Sequence, residues 1–446
     1  MTDTIFALAT PPGRGAVAVV RVSGPGAGAI LKSLAGRRPR ARQAALRTLK
    51  TRDGATLDRA LVLWFPGPAS FTGEDCAEFH LHGGQAVVDG VTEALIAAGA
   101  CLARPGEFTR RAFENGKLDL TQAEGIADLV DAETAAQARQ ALDQLEGGLT
   151  RRYGRWRETL IAALALLEAA VDFPEDDAAS QAGLSARPGL RGLLGELESA
   201  LAESGRGRLV RDGYRIALVG APNAGKSSLI NRLVSRDVAI VNATPGTTRD
   251  VIEAVMTVAG YRVLLSDTAG LRASDDAVEV EGARRAAAAA DTAALRLWVV
   301  DESADTGAWQ AAEALVRPGD ICLLNKADLG EGDDGANARA VALERGLDIV
   351  AVSAKTGEVA PLLAALEDRV KRDLSGADFP AATRARHAEL LRTSADHVAR
   401  ALQRLGEPEL AAEDVRLAAR AMERITGAVG AEDILDRVFS TFCIGK

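Results

Sequence analysis

The feature that most constrains this 446-residue chain is GAPNAGKSS at 220–228, set between the apolar run YRIALV and the helix-forming LINRL. A glycine loop joining a strand to a helix commits that region to a parallel sheet covered by helices. It also fixes a chemistry. Glycines allow close backbone approach to phosphate, and loop amides at a helix N-terminus supply donors.

The loop fits the pattern of glycine, four variable residues, glycine, lysine and hydroxyl, with Asn223, Ala224, Gly225, Lys226, Ser227 and Ser228 at its turn. Lys226 is expected to neutralise terminal phosphates and Ser227 to ligate Mg²⁺. DTAG, comprising Asp267, Thr268, Ala269 and Gly270, closes the strand-like YRVLLS and suits the magnesium shell and phosphate sensing. NKAD follows ICLL: Asn325 would brace neighbouring loops, the Lys326 stem would cover a base face, and Asp328 would accept from guanine N1–H and N2–H₂. SAK, comprising Ser353, Ala354 and Lys355, follows DIVAV, where the Ala354 amide suits guanine O6. Four motifs in this order predict GTP as substrate. ATP is the rival nucleotide, disfavoured because adenine cannot complete the Asp328 pattern.

The water-handling group is less evident. Leu271 follows DTAG where a Ras-like GTPase carries glutamine, so Glu279 and Glu281 in the acidic stretch 275–281 are candidates. Arg249 and Arg272 lie near the right loops, but sequence gives neither of them reach or direction.

The rest of the chain reads as further domains, since 446 residues exceed one core. AVAVVRV at 16–22 and LVLWF at 61–65 are strand-like, and DGVTEALIAAGA at 89–100 is helical. From Leu118 to Arg211 the composition turns to Ala, Leu, Glu, Gln and Arg, predicting long helices with a break at FPEDD, 173–177. After Leu374 the strand signal disappears. The expected boundaries are 1–117, 118–212, 213–373 and 374–446. Either a helical domain is interrupted by a nucleotide domain, or two helical domains flank one.

Net charge of −9 argues against a generally basic surface and leaves room for a local patch. RRYGRWRE at 151–158 suits either RNA contact or a solvated helix with Trp156 inward. Cys76, Cys101, Cys322 and Cys443 fit neither a zinc site nor a disulfide scaffold. His80 and His82 alternate without evident further ligands, so packing or polar structural roles are expected for them. His387 and His397 receive no catalytic role. With no signal-peptide pattern and no long apolar stretch, a cytoplasmic setting without membrane association is expected.

The chain resembles the tRNA-modifying GTPase family MnmE, also called TrmE, over almost its full length. The resemblance rests on GAPNAGKSSLIN, PGTTRD and DTAGLR, and on TPPGRGAVAVVRVSG at 10–24, FTGEDCAEFHLHGG at 71–84, RPGEFTRRAFENGKLDLTQAEGIADLVDAET at 104–134 and the terminal FCIGK. Phosphate loops are common; these outer blocks are specific. The resemblance implies multidomain α/β plus α architecture: a mixed α+β N-terminal folate-binding-like domain, a helical domain and an inserted Ras-like P-loop GTPase domain. It implies K⁺ near Asn223, with Asn242, Thr244 and Thr247 as further ligands, Thr248 on Mg²⁺, and Glu279 orienting water. It implies a homodimer that binds 5-formyltetrahydrofolate or a related tetrahydrofolate through Arg21, Glu78, Lys117 and Lys446, with Cys443 near the one-carbon unit. It also implies an FAD-carrying partner, MnmG or GidA, and aminomethyl-type modification at C5 of wobble uridine in tRNA. Two rivals remain: a regulatory or assembly GTPase that binds RNA without modifying it, and a folate-dependent aminomethyl-transfer enzyme that uses GTP only for regulation.

Overall fold

The computed structural model describes residues 3–172, 184–236, 253–267, 284, 287–375, 380–429, 432–440, 442 and 445. The chain forms two compact units: Met1–Val130, Leu142–Gly195 and Glu389–Lys446 make one, Asp131–Ala141 and Glu196–Ala388 the other.

The first unit contains a six-stranded sheet with β1 (Ile5–Leu8), β2 (Gly15–Ser23), β3 (Ala45–Lys50), β4 (Thr56–Phe65), β5 (Cys76–Gly83) and β6 (Cys101–Leu102). Its spatial order is β3-β4-β5-β2-β1-β6, antiparallel except where β1 meets β6. Alternation along the strands divides the side chains between two faces. Val20, Val22, Val62, Trp64, Phe79 and Leu81 point into a core completed by Ile30, Leu31 and Leu34 of the helix Ala27–Ala35 and by Val91 and Leu95 of the helix Gln85–Ala97. Arg21 and Glu78 stand opposite each other in register on the other face.

The same unit holds long helices where the Ala/Leu/Glu composition predicts them. In Gly148–Asp172 a stripe of Leu149, Tyr153, Trp156, Leu160, Ala163, Leu167 and Ala170 is buried at helical spacing. It packs with the helix Pro408–Thr426, and Arg157 meets Glu423 at 2.8 Å while Arg416 pairs with Glu168. Tyr153 and Trp156 lie 5.8 Å apart, so the aromatic residues of RRYGRWRE belong to this packing. The predicted break at 173–177 lies outside the described residues. Near the chain end, Phe442 packs with Phe439 and Leu120. Gly445, at φ +100°, rests on β1; a Cβ there would fall 2.5 Å from the Leu8 carbonyl oxygen.

The second unit has a sheet of β7 (Tyr214–Val219), β8 (Glu253–Val258), β9 (Tyr261–Asp267), β10 (Leu295–Asp301), β11 (Ile321–Asn325) and β12 (Asp348–Val352), ordered β12-β11-β10-β7-β9-β8. All pairs are parallel except β8 with β9. Leu295–Val300 and Ile321–Asn325 are buried throughout, as strands covered on both faces require. The apolar runs YRIALV, YRVLLS, LRLWVV, ICLL and DIVAV of the sequence are five of these strands; β8 was not among them.

Two sets of contacts tie the ends of this unit together. Tyr214, the first residue of β7, donates its hydroxyl to Asp373 at 2.5 Å, near the end of the helix Ala360–Leu374. Arg369 Nε donates to the same Asp373 oxygen at 2.8 Å. From Asp131–Ala141, Gln137 donates to the Arg211 carbonyl at 2.9 Å and Gln140 to the Gly207 carbonyl at 3.3 Å, while Ala136 enters the core beside Val210.

Candidate nucleotide site and amino-terminal cluster

Parallel strands carry their C-terminal ends to one edge, and the strand order reverses direction around β7, where open α/β sheets bind ligands. The loop after β7 is shaped by close approaches. A Cβ at Gly220 would sit 2.2 Å from the Val299 carbonyl oxygen, and one at Gly225, at φ +96°, 2.2 Å from Asn325 Nδ2. Asn223 takes φ +63°, a left-handed turn that asparagine tolerates better than most residues. The helix Lys226–Arg236 then begins.

Lys226 is 4% exposed, and its ammonium donates to the carbonyls of Gly220 at 2.8 Å and Ala221 at 2.7 Å. Burial pushes its pKa down, with the Asp267 carboxylate acting in the opposite direction. Ser227 Oγ donates to Asp267 Oδ2 at 2.5 Å. Asp267 ends β9, alongside Leu218 of β7, so the parallel pairing sets this hydroxyl–carboxylate pair. Ser228 is exposed beside it.

The loops after β11 and β12 join the same edge. Asn325, 1% exposed, donates to the Ala224 carbonyl at 2.8 Å and accepts the Ala354 amide at 3.2 Å. One side chain thus bridges the glycine loop and the loop holding Ser353, Ala354 and Lys355. Asp328 Oδ1 accepts the Ser353 hydroxyl at 2.6 Å, and Ser353 Oγ accepts the Thr356 amide at 3.1 Å. Ser353 is fully buried, whereas Asp328 and Lys355 are exposed. Lys326 has φ +65°, and its ammonium meets Asp301 Oδ2 at 2.5 Å.

Residues 223–228, Asp267, 325–328 and 353–355 are therefore brought together as the motifs required. Asn242, Thr244, Thr247, Thr248, Thr268, Ala269, Gly270, Glu279, Cys443 and Lys446 lie outside the described residues, as do Arg249, Leu271, Arg272 and Glu281. Asp301 was not singled out from sequence. Its signal was available: an aspartate ending an apolar strand, where a parallel sheet places ligand-facing loops.

In the first unit, Arg21 Nη2 and Nε meet Glu78 Oε1 at 3.0 and 3.1 Å, and Glu78 Oε2 meets His80 Nε2 at 3.3 Å. The Arg21 guanidinium lies 5.6 Å from the Phe71 ring centre and 5.8 Å from that of Phe108. Lys117 is not joined directly to this pair; its ammonium donates to the Pro68 carbonyl at 3.1 Å, in the loop that carries Phe71. That loop is anchored by Ser23 Oγ, 2.7 Å from both Thr72 Oγ1 and Glu74 Oε2, by Arg111 on Glu74 at 3.1 Å, and by Asn115 on the Thr72 carbonyl at 2.7 Å. Phe71 was missed by sequence reasoning, because a loop phenylalanine carries no spacing signal. His82 bonds Asp58 at 2.7 Å. Among the described residues no group of three or more His, Cys, Asp or Glu is arranged to hold a metal ion, and no helix is long and apolar enough to cross a membrane.

Comparison with known proteins covers both units. A family model described as the MnmE helical domain matches residues 120–443, and one described as the GTP-binding protein TrmE N-terminus matches residues 4–117. The chain is 56% identical over 447 residues to the tRNA modification GTPase MnmE of Phenylobacterium zucineum, and 58% identical over 448 residues to that of Caulobacter vibrioides. Identity to the Maricaulis maris protein of the same name is 50% over 452 residues. In all three cases 100% of each chain is covered. The glycine loop, the loops that close on it and the amino-terminal sheet all fall within matches running the length of both chains, and the protein belongs to the MnmE (TrmE) family of tRNA modification GTPases.

Proposed function

We propose that this protein is a potassium-dependent GTP hydrolase that acts with an FAD-containing MnmG/GidA-type partner in folate-dependent, aminomethyl-type modification at C5 of wobble uridine in tRNA. The observation that carries the nucleotide part is the Asn325 bridge, which locks the glycine loop to the loop of Ala354 while Asp328 is held by Ser353. In this reading the Ala224, Gly225 and Lys226 amides and the Lys226 ammonium bind phosphates. Asp328 accepts from guanine N1–H and N2–H₂, and the Ala354 amide donates to O6. Lys355 flanks the same loop.

Ser227 and Asp267 form an oxygen pair suited to a hard divalent cation, which supports Mg²⁺ there, with Thr248 as a further ligand. Asn223, exposed at the apex of the loop, offers an amide oxygen for K⁺, with Asn242, Thr244 and Thr247 as its companions. Magnesium and potassium, when bound, supply positive charge at the terminal phosphates. The DTAG residues Thr268, Ala269 and Gly270 are assigned to phosphate sensing. Glu279 is assigned to orient the attacking water, taking the place of a Ras-like glutamine.

The Arg21–Glu78 pair beside Phe71 supports folate recognition. A carboxylate suits the donor edge of a pterin, cations suit the glutamate tail, and the exposed Phe71 ring suits its flat face, while the buried Phe108 backs the Arg21 guanidinium from the core. Lys117 and Lys446 complete the assigned pocket, and Cys443 is assigned to the one-carbon chemistry. Gly445 on Leu8 supports this, because Ala7 of the same strand is in register with Arg21.

The functional division follows: 1–117 for folate binding and homodimerisation, 118–212 and 374–446 as the helical domain, and 213–373 as an inserted Ras-like GTPase domain. The family matches to 4–117 and 120–443 support the limit near 117. The tRNA substrate of this reading supports a cytoplasmic setting. Reconstitution with GTP, the FAD partner, a tetrahydrofolate carrying a one-carbon unit, glycine and unmodified tRNA tests the whole reading, in KCl and in NaCl at equal ionic strength. Product at uridine C5 with faster turnover in KCl is expected. Turnover without product would overturn the modification assignment, and equal rates in the two salts would overturn the potassium assignment.

A further inference from the structure

Lys326 is held at both ends. Its backbone sits in the left-handed region at φ +65°, and its ammonium meets Asp301 Oδ2 at 2.5 Å. The other carboxylate oxygen, Oδ1, accepts the Ser303 amide at 3.2 Å and the Ser303 hydroxyl at 2.8 Å. Burial would raise the Asp301 pKa, but hydrogen bonds and charge from Lys326 and Ser303 outweigh it and keep the carboxylate ionised. The parallel register places Asp301 directly beside Asn325, so the carboxylate stands next to the residue preceding Lys326. The aliphatic stem is thereby tethered between two fixed points, at little further cost in side-chain entropy on binding.

We infer that Asp301 is a positioning residue for the base site: it sets the Lys326 stem as a preformed wall against one face of the purine. The inference rests on the guanine reading above. A wall contacts a ring face and is indifferent to the Watson–Crick edge, whereas Asp328 reads that edge. The two carboxylates therefore divide the work, one fixing the surface and the other the identity.

The test uses the full-length protein and measures affinity for GDP, IDP and XDP together with GTP turnover. Asp301→Ala is expected to weaken GDP and IDP by the same factor, about fivefold, with kcat changed by less than about twofold. In a Lys326→Ala background, Asp301→Ala should add nothing further. Should Asp301→Ala fail to give a cooperative melting transition, Asp301→Asn, which keeps the shape and removes the charge, answers the same question. Unchanged affinity, or a full effect persisting without Lys326, overturns the inference. Asp328→Asn separates the foundation: exchanging an acceptor for a donor should move preference from GDP toward XDP, whose O2 accepts. If that shift occurs while Asp301→Ala is silent, only the role of Asp301 falls; if it does not occur, the base reading itself fails.

Discussion

Asn325 donates its amide to the Ala224 carbonyl at 2.8 Å, across 101 positions of sequence, and accepts the Ala354 amide through its other terminus. Asn325→Ala removes both bonds from a buried position and leaves two backbone groups without this partner. KM for GTP is expected to rise about ten- to a hundredfold, the cost of one or two unmade buried hydrogen bonds. Titration with a fluorescent guanine nucleotide checks this, and affinity within about twofold of wild type contradicts it.

Lys226 makes a pH prediction. Its pKa is held down by burial, so the folded, ligand-free protein deprotonates this lysine at a lower pH than an exposed lysine requires. A bound phosphate favours the ammonium and pulls the pKa back up. Nucleotide binding at about pH 9, below the ordinary lysine value of about 10.4, should therefore take up protons. Calorimetry in buffers of different ionisation enthalpy reads the uptake. It should vanish in Lys226→Met, which should also lose GTP hydrolysis.

Tyr214→Phe removes the phenol from Asp373 and leaves Arg369 in place. At neutral pH the loss should cost about 1 kcal/mol of stability. Burial, and then Asp373, push the Tyr214 pKa well above its ordinary 10.0. A raised pKa means that the unfolded chain ionises first, so the wild type sheds stability as pH climbs past 10.0. The phenylalanine variant escapes that penalty. The stability gap seen at neutral pH should therefore narrow or reverse in alkaline melts, and a constant gap would argue against the buried phenol.

Glu78→Ala unpairs Arg21 and removes the acceptor beside His80. Folate affinity is expected to fall at least about tenfold, as for loss of a charge-assisted hydrogen-bonded partner. The pair is partly solvated, so the melting temperature should move little. Equilibrium dialysis with a reduced folate provides the measurement, and unchanged affinity would remove Glu78 from the pocket.

The strands of the nucleotide unit were legible because a parallel sheet buried on both faces needs uninterrupted apolar runs, as in LRLWVV and ICLL. β8 was not: in EAVMTV the polar Glu253 and Thr257 interrupt the apolar run, and among the described residues the strand pairs only with β9. β3 escaped for a related reason: ALRTLK alternates toward solvent and buries only Leu49. At the site, residues with fixed spacing were readable, whereas Asp301 and Phe71 act through partners far away in sequence. Lys117 shows the limit from the other side. Its charge was noted, but a sequence does not reveal that the ammonium is occupied by the Pro68 carbonyl.

The glutamine contacts from Asp131–Ala141 bear on how this protein is dissected in the laboratory. A contiguous excision beginning at Gly213 would discard Ala136 and Val210, removing two residues from the hydrophobic interior, and would take Gln137 and Gln140 away together with their partners Arg211 and Gly207. Such a truncated piece should melt earlier than the same residues in the intact chain, and rates measured on it would describe a loosened catalyst.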